Sequence, residues 1–218
     1  MGPAPRVVFF GSPPFATTIV ERLVTSPHRP LAVVTQPERA SGRGRKPKPS
    51  PVVAAAEAAG VDVLRPESVR DAGFRARLRA LEADVFLVAS YGELFDTELL
   101  ELPSVACLNV HGSILPRWRG ASPIQSAILA GDPVTGVTIQ RMVEALDAGD
   151  VLLTRTTPIG PSDTSGTLFD RLAQLGAEAA LEALDSIAAG RATFTPQDDA
   201  QATRCRKLAT SAGQLDWS

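Results

Sequence analysis

The sequence predicts a doubly wound α/β fold: a mostly parallel, twisted sheet with an antiparallel or hairpin-like C-terminal part. Three observations carry this. Strand-like and helix-like segments alternate from Arg6 to Ala130. The segment Asp84 to Ala89 is almost wholly apolar, as a strand covered on both faces must be. After Gly131 the alternation gives way to two β-rich stretches with only a short gap between them.

Arg6 to Phe10 is a β-branched and aromatic run that stops at Gly11-Ser12-Pro13-Pro14, after which Phe15, Ile19, Leu23 and Val24 recur at helical spacing. Leu31 to Thr35 reads as a second buried strand. A long Pro-, Gly- and Arg-rich loop follows, then an Ala-rich helix from about Pro51 to Ala59 closed by Gly60. Val61 to Leu64 is a third strand, Val69 to Leu81 a helix, and Asp84 to Ala89 the fourth strand. Thr97 to Glu101 is a short helix, Val105 to Val110 the fifth strand, and Ser122 to Ala130 the next helix. Gly136 to Met142 and Asp150 to Thr156 are the two β-rich stretches. From Thr164 a long apolar stripe through Leu168, Leu172, Leu175 and Leu184 runs to Gly190. Residues 191–218 have weak periodicity and read as an extended tail leaving a domain that spans residues 1–190.

At 218 residues and 44% hydrophobic content, the chain has enough apolar surface for one large domain. Two cysteines, Cys107 and Cys205, are too few for a disulfide framework and point to a reducing interior. The apolar run Val7 to Phe10 is too brief for a membrane span or a signal-peptide core, so a cytoplasmic protein without membrane contact is expected. A net charge of −2 excludes a wholesale basic nucleic-acid binder. Gln36 to Pro51, however, holds five basic residues and one acid, a local +4 that leaves the remainder at −6. Any polyanion partner would be met there.

Side chains alternate along a strand, so Asn109 and His111 share one face at the carboxyl end of the fifth strand, the edge where open α/β sheets bind ligands. Cys107 lies on that face as well, but two His and two Cys are a poor supply of zinc ligands, and no metal is expected. The first turn lacks the glycine spacing of a dinucleotide-binding loop.

The stretch Cys107 to Gln125 reads Cys-Leu-Asn-Val-His-Gly-Ser-Ile-Leu-Pro-Arg-Trp-Arg-Gly-Ala-Ser-Pro-Ile-Gln. It resembles the signature of the methionyl-tRNA formyltransferase family, within the wider folate-dependent formyltransferases. The likeness extends over nearly the whole chain. It implies a Rossmann-like formyltransferase fold and a catalytic set of Asn109, His111 and Asp147, the last carried by Leu146-Asp147-Ala148-Gly149-Asp150. It further implies a folate-binding loop at Ser113, Ile114, Leu115 and Pro116, where Ile114 replaces the usual Leu. Val88 to Tyr91 and Val143 to Asp147 would line the pterin pocket. Arg39, Arg43, Arg45, Lys46 and Lys48 would contact tRNA, with Arg43 entering the acceptor stem.

The co-substrate implied is the reduced folate 10-formyltetrahydrofolate, the partner initiator methionyl-tRNA, and the protein a monomer. Members of the family normally continue past Asp216-Trp217-Ser218 into a tRNA-binding domain, so residues 191–218 are expected to lead toward one. Two alternatives stay open: formyl transfer to another amine, such as an amino-sugar nucleotide or glycinamide ribonucleotide, and a non-catalytic folate or RNA binding module.

Overall fold

Alternation of side chains along each strand builds two cores, one on each face of the sheet, in a computed structural model that describes residues 2–37 and 50–209. In β1 (Val7–Gly11) Val7 and Phe9 pack on one side, with Leu87, Leu108 and Val110 of neighbouring strands. Val8 and Phe10 pack on the other, with Phe86, Val88 and Cys107. The Phe10 ring meets Phe86, Tyr91 and Phe95 at centroid distances of 5.1, 5.5 and 5.1 Å.

The remaining strands are β2 (Ala32–Val34), β3 (Asp62–Leu64), β4 (Val85–Ala89), β5 (Ala106–His111), β6 (Arg119–Gly120), β7 (Val134–Arg141), β8 (Val151–Pro158) and β9 (Arg204–Cys205). Seven of the nine form one sheet in the order β3-β2-β1-β4-β5-β7-β8. The first five of these are mutually parallel, whereas β5 pairs with β7, and β7 with β8, in antiparallel fashion. The mostly parallel sheet and its hairpin-like end are as the sequence predicts.

One face is covered by α1 (Phe15–Val24), α2 (Pro51–Ala58) and α6 (Ser165–Ala188), while α3 (Ala72–Ala80) and α4 (Thr97–Leu100) serve the other; α5 (Pro123–Leu129) adds Ile124 beside the first core. The helix α1 buries Phe15, Ile19, Val20 and Leu23, one stripe at helical spacing. A reciprocal cap starts α6: the Thr164 hydroxyl accepts from the Thr167 N–H, and the Thr167 hydroxyl accepts from the Thr164 N–H. The helix expected from Val69 begins three residues later. Asp71 stops it, because its carboxylate caps the Phe74 N–H at 2.7 Å.

The segment after Gly190, expected to leave the fold, lies along it as far as Cys205. Thr195 and Val151 exchange backbone hydrogen bonds of 2.8 and 2.9 Å, and β9 pairs in parallel with β6. The docking is largely by backbone and polar side chains, with only Phe194 packed on the first core and Cys205 buried, and two apolar residues so far apart leave no periodicity to read.

Chain order reverses between β1 and β4, which are neighbours although β2 and β3 intervene in sequence. Such a switch point opens a crevice at the carboxyl ends of the strands.

Candidate active site

A cavity of about 550 Å³ sits at that crevice. Its walls come from Phe15 at the start of α1, Val88 near the end of β4, Ser90 to Phe95 after that strand, Asn109 to Gly112 at the end of β5, Gly120, Ala121, and Pro123 to Gln125. Gln140, the 142–144 segment, Leu146, Asp147, Phe169 and Lys207 complete it. The volume suits a drug-sized or cofactor-sized ligand, and the lining is largely apolar with a few converging polar groups. A second cavity of about 610 Å³ lies behind Met142 to Ala145 but contains none of Asn109, His111 or Asp147.

The three expected catalytic residues meet in the first cavity. The Asn109 amide donates to Asp147 Oδ1 at 3.4 Å, and His111 Nδ1 lies 3.6 Å from Asp147 Oδ2. The His111 and Asp147 side chains are only 6% and 8% exposed. Strand register adds a fourth group: Asn109 pairs opposite Gln140, whose amide donates to Asp147 Oδ1 at 2.9 Å. The Gly120 N–H donates to Asp147 Oδ2 at 2.8 Å. Gly120 has a φ of +119°, and a Cβ there would collide with the Cys205 carbonyl.

His111 is fixed from its other nitrogen. Nε2 lies 2.9 Å from the Trp118 carbonyl, an acceptor only, so Nε2 carries the hydrogen and Nδ1 faces the carboxylate. Asp132 secures Trp118 by accepting from its indole N–H at 2.7 Å, and it also grips Arg117 at 2.6 Å. The Arg117 guanidinium holds the Asp132 carboxyl below its ordinary range. Ser90, Trp118 and Asp147 all have positive φ, at 50°, 61° and 52°. Strained backbone of this kind gathers where geometry matters more than stability.

Over residues 5–184 the sequence matches the formyl transferase family. The chain belongs to that family. It is 49% identical over 212 residues to a methionyl-tRNA formyltransferase of Methylococcus capsulatus, covering 97% of this chain and 69% of that protein. It is 46% identical to one of Pseudomonas fluorescens, covering 98% and 67%. These relatives place it among the methionyl-tRNA formyltransferases, and it spans about two thirds of their length. Among solved structures, a glycinamide ribonucleotide transformylase from Symbiobacterium toebii superposes with a TM-score of 0.73 at 22% identity, over 91% of this chain and 96% of that one. That likeness shows the shared fold.

Not every expected site residue of this formyl transferase family member reaches the cavity. Of the expected pterin-pocket stretches, Val88, Ser90, Tyr91, Val143, Glu144, Leu146 and Asp147 line it, whereas Ala89 and Ala145 do not. Gly112 also lines it, but Ser113, Ile114, Leu115 and Pro116 do not. Their polar groups are spent on the protein. The Ser113 hydroxyl donates to the Arg117 carbonyl at 2.6 Å, and the Thr138 hydroxyl donates to the Ser113 carbonyl at 2.8 Å while accepting from the Leu115 N–H at 3.1 Å. Arg39, Arg43, Arg45, Lys46 and Lys48 fall outside the described residues. Gln140 and Trp118 were not anticipated. Gln140 sits among other polar residues of β7, Thr135, Thr138 and Arg141, so nothing in the sequence singled it out; Trp118 contributes a backbone carbonyl, which leaves no sign. Among the described residues, no three His, Cys, Asp or Glu side chains gather to hold a metal ion, and no helix is long and apolar enough to cross a membrane.

Proposed function

We propose that this chain transfers the formyl group of 10-formyltetrahydrofolate to the amino group of methionine on initiator methionyl-tRNA. The observation that carries the reading is the convergence of Asn109, His111 and Asp147 in one cavity at the sheet's switch point, in a chain 49% identical to a methionyl-tRNA formyltransferase. Reduced folate occupies the cavity, whose wall includes Gly112, the residue that leads into the Ser113 to Pro116 loop.

Amine attack on the formyl carbon pushes negative charge onto the formyl oxygen. Asn109 supplies the donor there: its amide has one partner among the described residues, Asp147, which leaves a second N–H for the oxygen. The attacking nitrogen then sheds a proton and the departing folate nitrogen gains one. His111, anchored through Nε2, and Asp147 handle that proton as a coupled pair. The tRNA contacts fall to Arg39, Arg43, Arg45, Lys46 and Lys48. Such a substrate places the reaction in the cytoplasm, and the expectation of a monomer goes with it.

The test is to incubate the protein with 10-formyltetrahydrofolate and, in parallel, methionyl-tRNA, free methionine, glycinamide ribonucleotide and an amino-sugar nucleotide, following tetrahydrofolate release. Release that depends on methionyl-tRNA supports the reading. Release driven by another amine, or by none, overturns it.

A further inference from the structure

We infer that Gln197 is a positioning residue for formyl transfer, fixing Asp147 from outside the cavity; the inference rests on the function proposed above. Gln197 lies between Thr195, which is bonded to β8, and the strand β9. Its Nε2 donates to the Gly149 carbonyl at 2.6 Å and the Asp147 carbonyl at 3.0 Å, and reaches Gln140 Oε1 at 3.3 Å. Its Oε1 accepts from Arg119 Nε at 3.0 Å and Nη2 at 2.8 Å.

The orientation of this amide is settled by its neighbours. Arg119 has donors only, and the two carbonyls are acceptors only, so a flipped amide would set like against like on both sides. Both polar atoms of the Gln197 side chain are thus committed, Nε2 to the Asp147 loop and Gln140, and Oε1 to Arg119. One side chain pins the loop on both sides of Ala148. It also fixes Gln140, whose own Nε2 donates to the Asp147 carboxylate at 2.9 Å.

Asp147 needs this hold. Its φ of +52° is one a non-glycine residue avoids unless its surroundings enforce it. Arg119, 6% exposed, anchors the arrangement and pairs with Asp199 at 2.7 Å. Gln197 touches no reacting atom; it acts by setting where the carboxylate stands beside His111.

The test uses Gln197→Glu and Gln197→Ala in the full chain. The Glu variant keeps the acceptor for Arg119 and the side-chain length but turns an acceptor toward the two carbonyls; the Ala variant removes both halves. With 10-formyltetrahydrofolate and methionyl-tRNA, kcat is expected to fall about 10- to 100-fold in both, while KM for each substrate stays within about threefold. The chain has two histidines, so ring ¹⁵N–¹H spectra report His111 directly, with His28, bonded to Asp185 at 2.8 Å, as an internal control. His111 signals should move and His28 signals should stay.

Wild-type kcat together with unmoved His111 signals in a folded variant overturns the inference. So does movement of both histidines alongside a lowered melting temperature, which would make the role structural. If the wild type itself releases no tetrahydrofolate, the proposed function fails, and the His111 spectra alone decide the role of Gln197.

Discussion

Asp147 spends both carboxylate oxygens on neighbours, Oδ1 on Gln140 and Asn109 and Oδ2 on the Gly120 N–H. All three are donors, so Asp147→Asn sets an NH₂ group against donors whichever way the amide turns. Asp147→Asn and Asn109→Ala are each expected to cut kcat by roughly 10²- to 10³-fold with an unchanged far-UV circular dichroism spectrum. Near-normal turnover in either would remove that residue from the site. Asp132 gives a prediction in pH. Its carboxyl titrates lower when folded than when unfolded, because Arg117 and then the Trp118 indole bond to its charged form. Between the unfolded value near 4 and the lower folded value, the unfolded chain binds more protons, so stability is lost as pH falls through that interval. The melting temperature of wild type should drop there, and the drop should be shallower in Asp132→Asn. At this scale Asn109 and His111 were legible, since two polar side chains on one face at the end of an apolar strand stand out. Gln197 and Trp118 were not: the partners of the Gln197 amide lie far off in sequence, and Trp118 acts on nearby His111 through a backbone carbonyl, which any residue type has.

The long helix α6 was legible almost to its ends, because the apolar stripe and the Thr164 cap signal agree. Thr164→Ala removes one side of the reciprocal cap and should destabilise the protein by about 1 kcal/mol, measured by urea unfolding. A cost near zero would mean that the Asp163 carboxylate, which accepts from the Thr167 hydroxyl at 3.0 Å, holds the first turn unaided. The start of α3 was misplaced because Val69 is buried and so continues the apolar pattern, although Asp71 begins the helix behind it. The pair β6 and β9 was invisible for a different reason. Each is two residues long, too short for any period to show, and their pairing spans most of the C-terminal half of the chain.

For the molecule as a whole, the alternation of elements predicted the sheet, and the change of pattern after Gly131 predicted its antiparallel edge. Charge was legible too: a chain of net −2 carries its excess of positive charge between Gln36 and Pro51. Neutralising Arg43, Arg45 and Lys46 together should raise KM for methionyl-tRNA and leave folate affinity alone. The salt dependence of tRNA binding should become shallower, by about 0.7 to 0.9 in log–log slope for each phosphate no longer neutralised. An unchanged KM would sink the role assigned to this loop. The clasp formed by residues 195–205 has a consequence in time. A chain emerging from the ribosome has made all seven strands of the large sheet by Pro158 and the covering helix by Ala188, before Thr195, Gln197 and Cys205 exist. Synthesis runs from the N-terminus and folding follows it. The scaffold is therefore made first, and the backbone on either side of Ala148 gains its Gln197 bonds only when this later stretch of polypeptide arrives, so the loop that bears the carboxylate is braced after the framework that carries it.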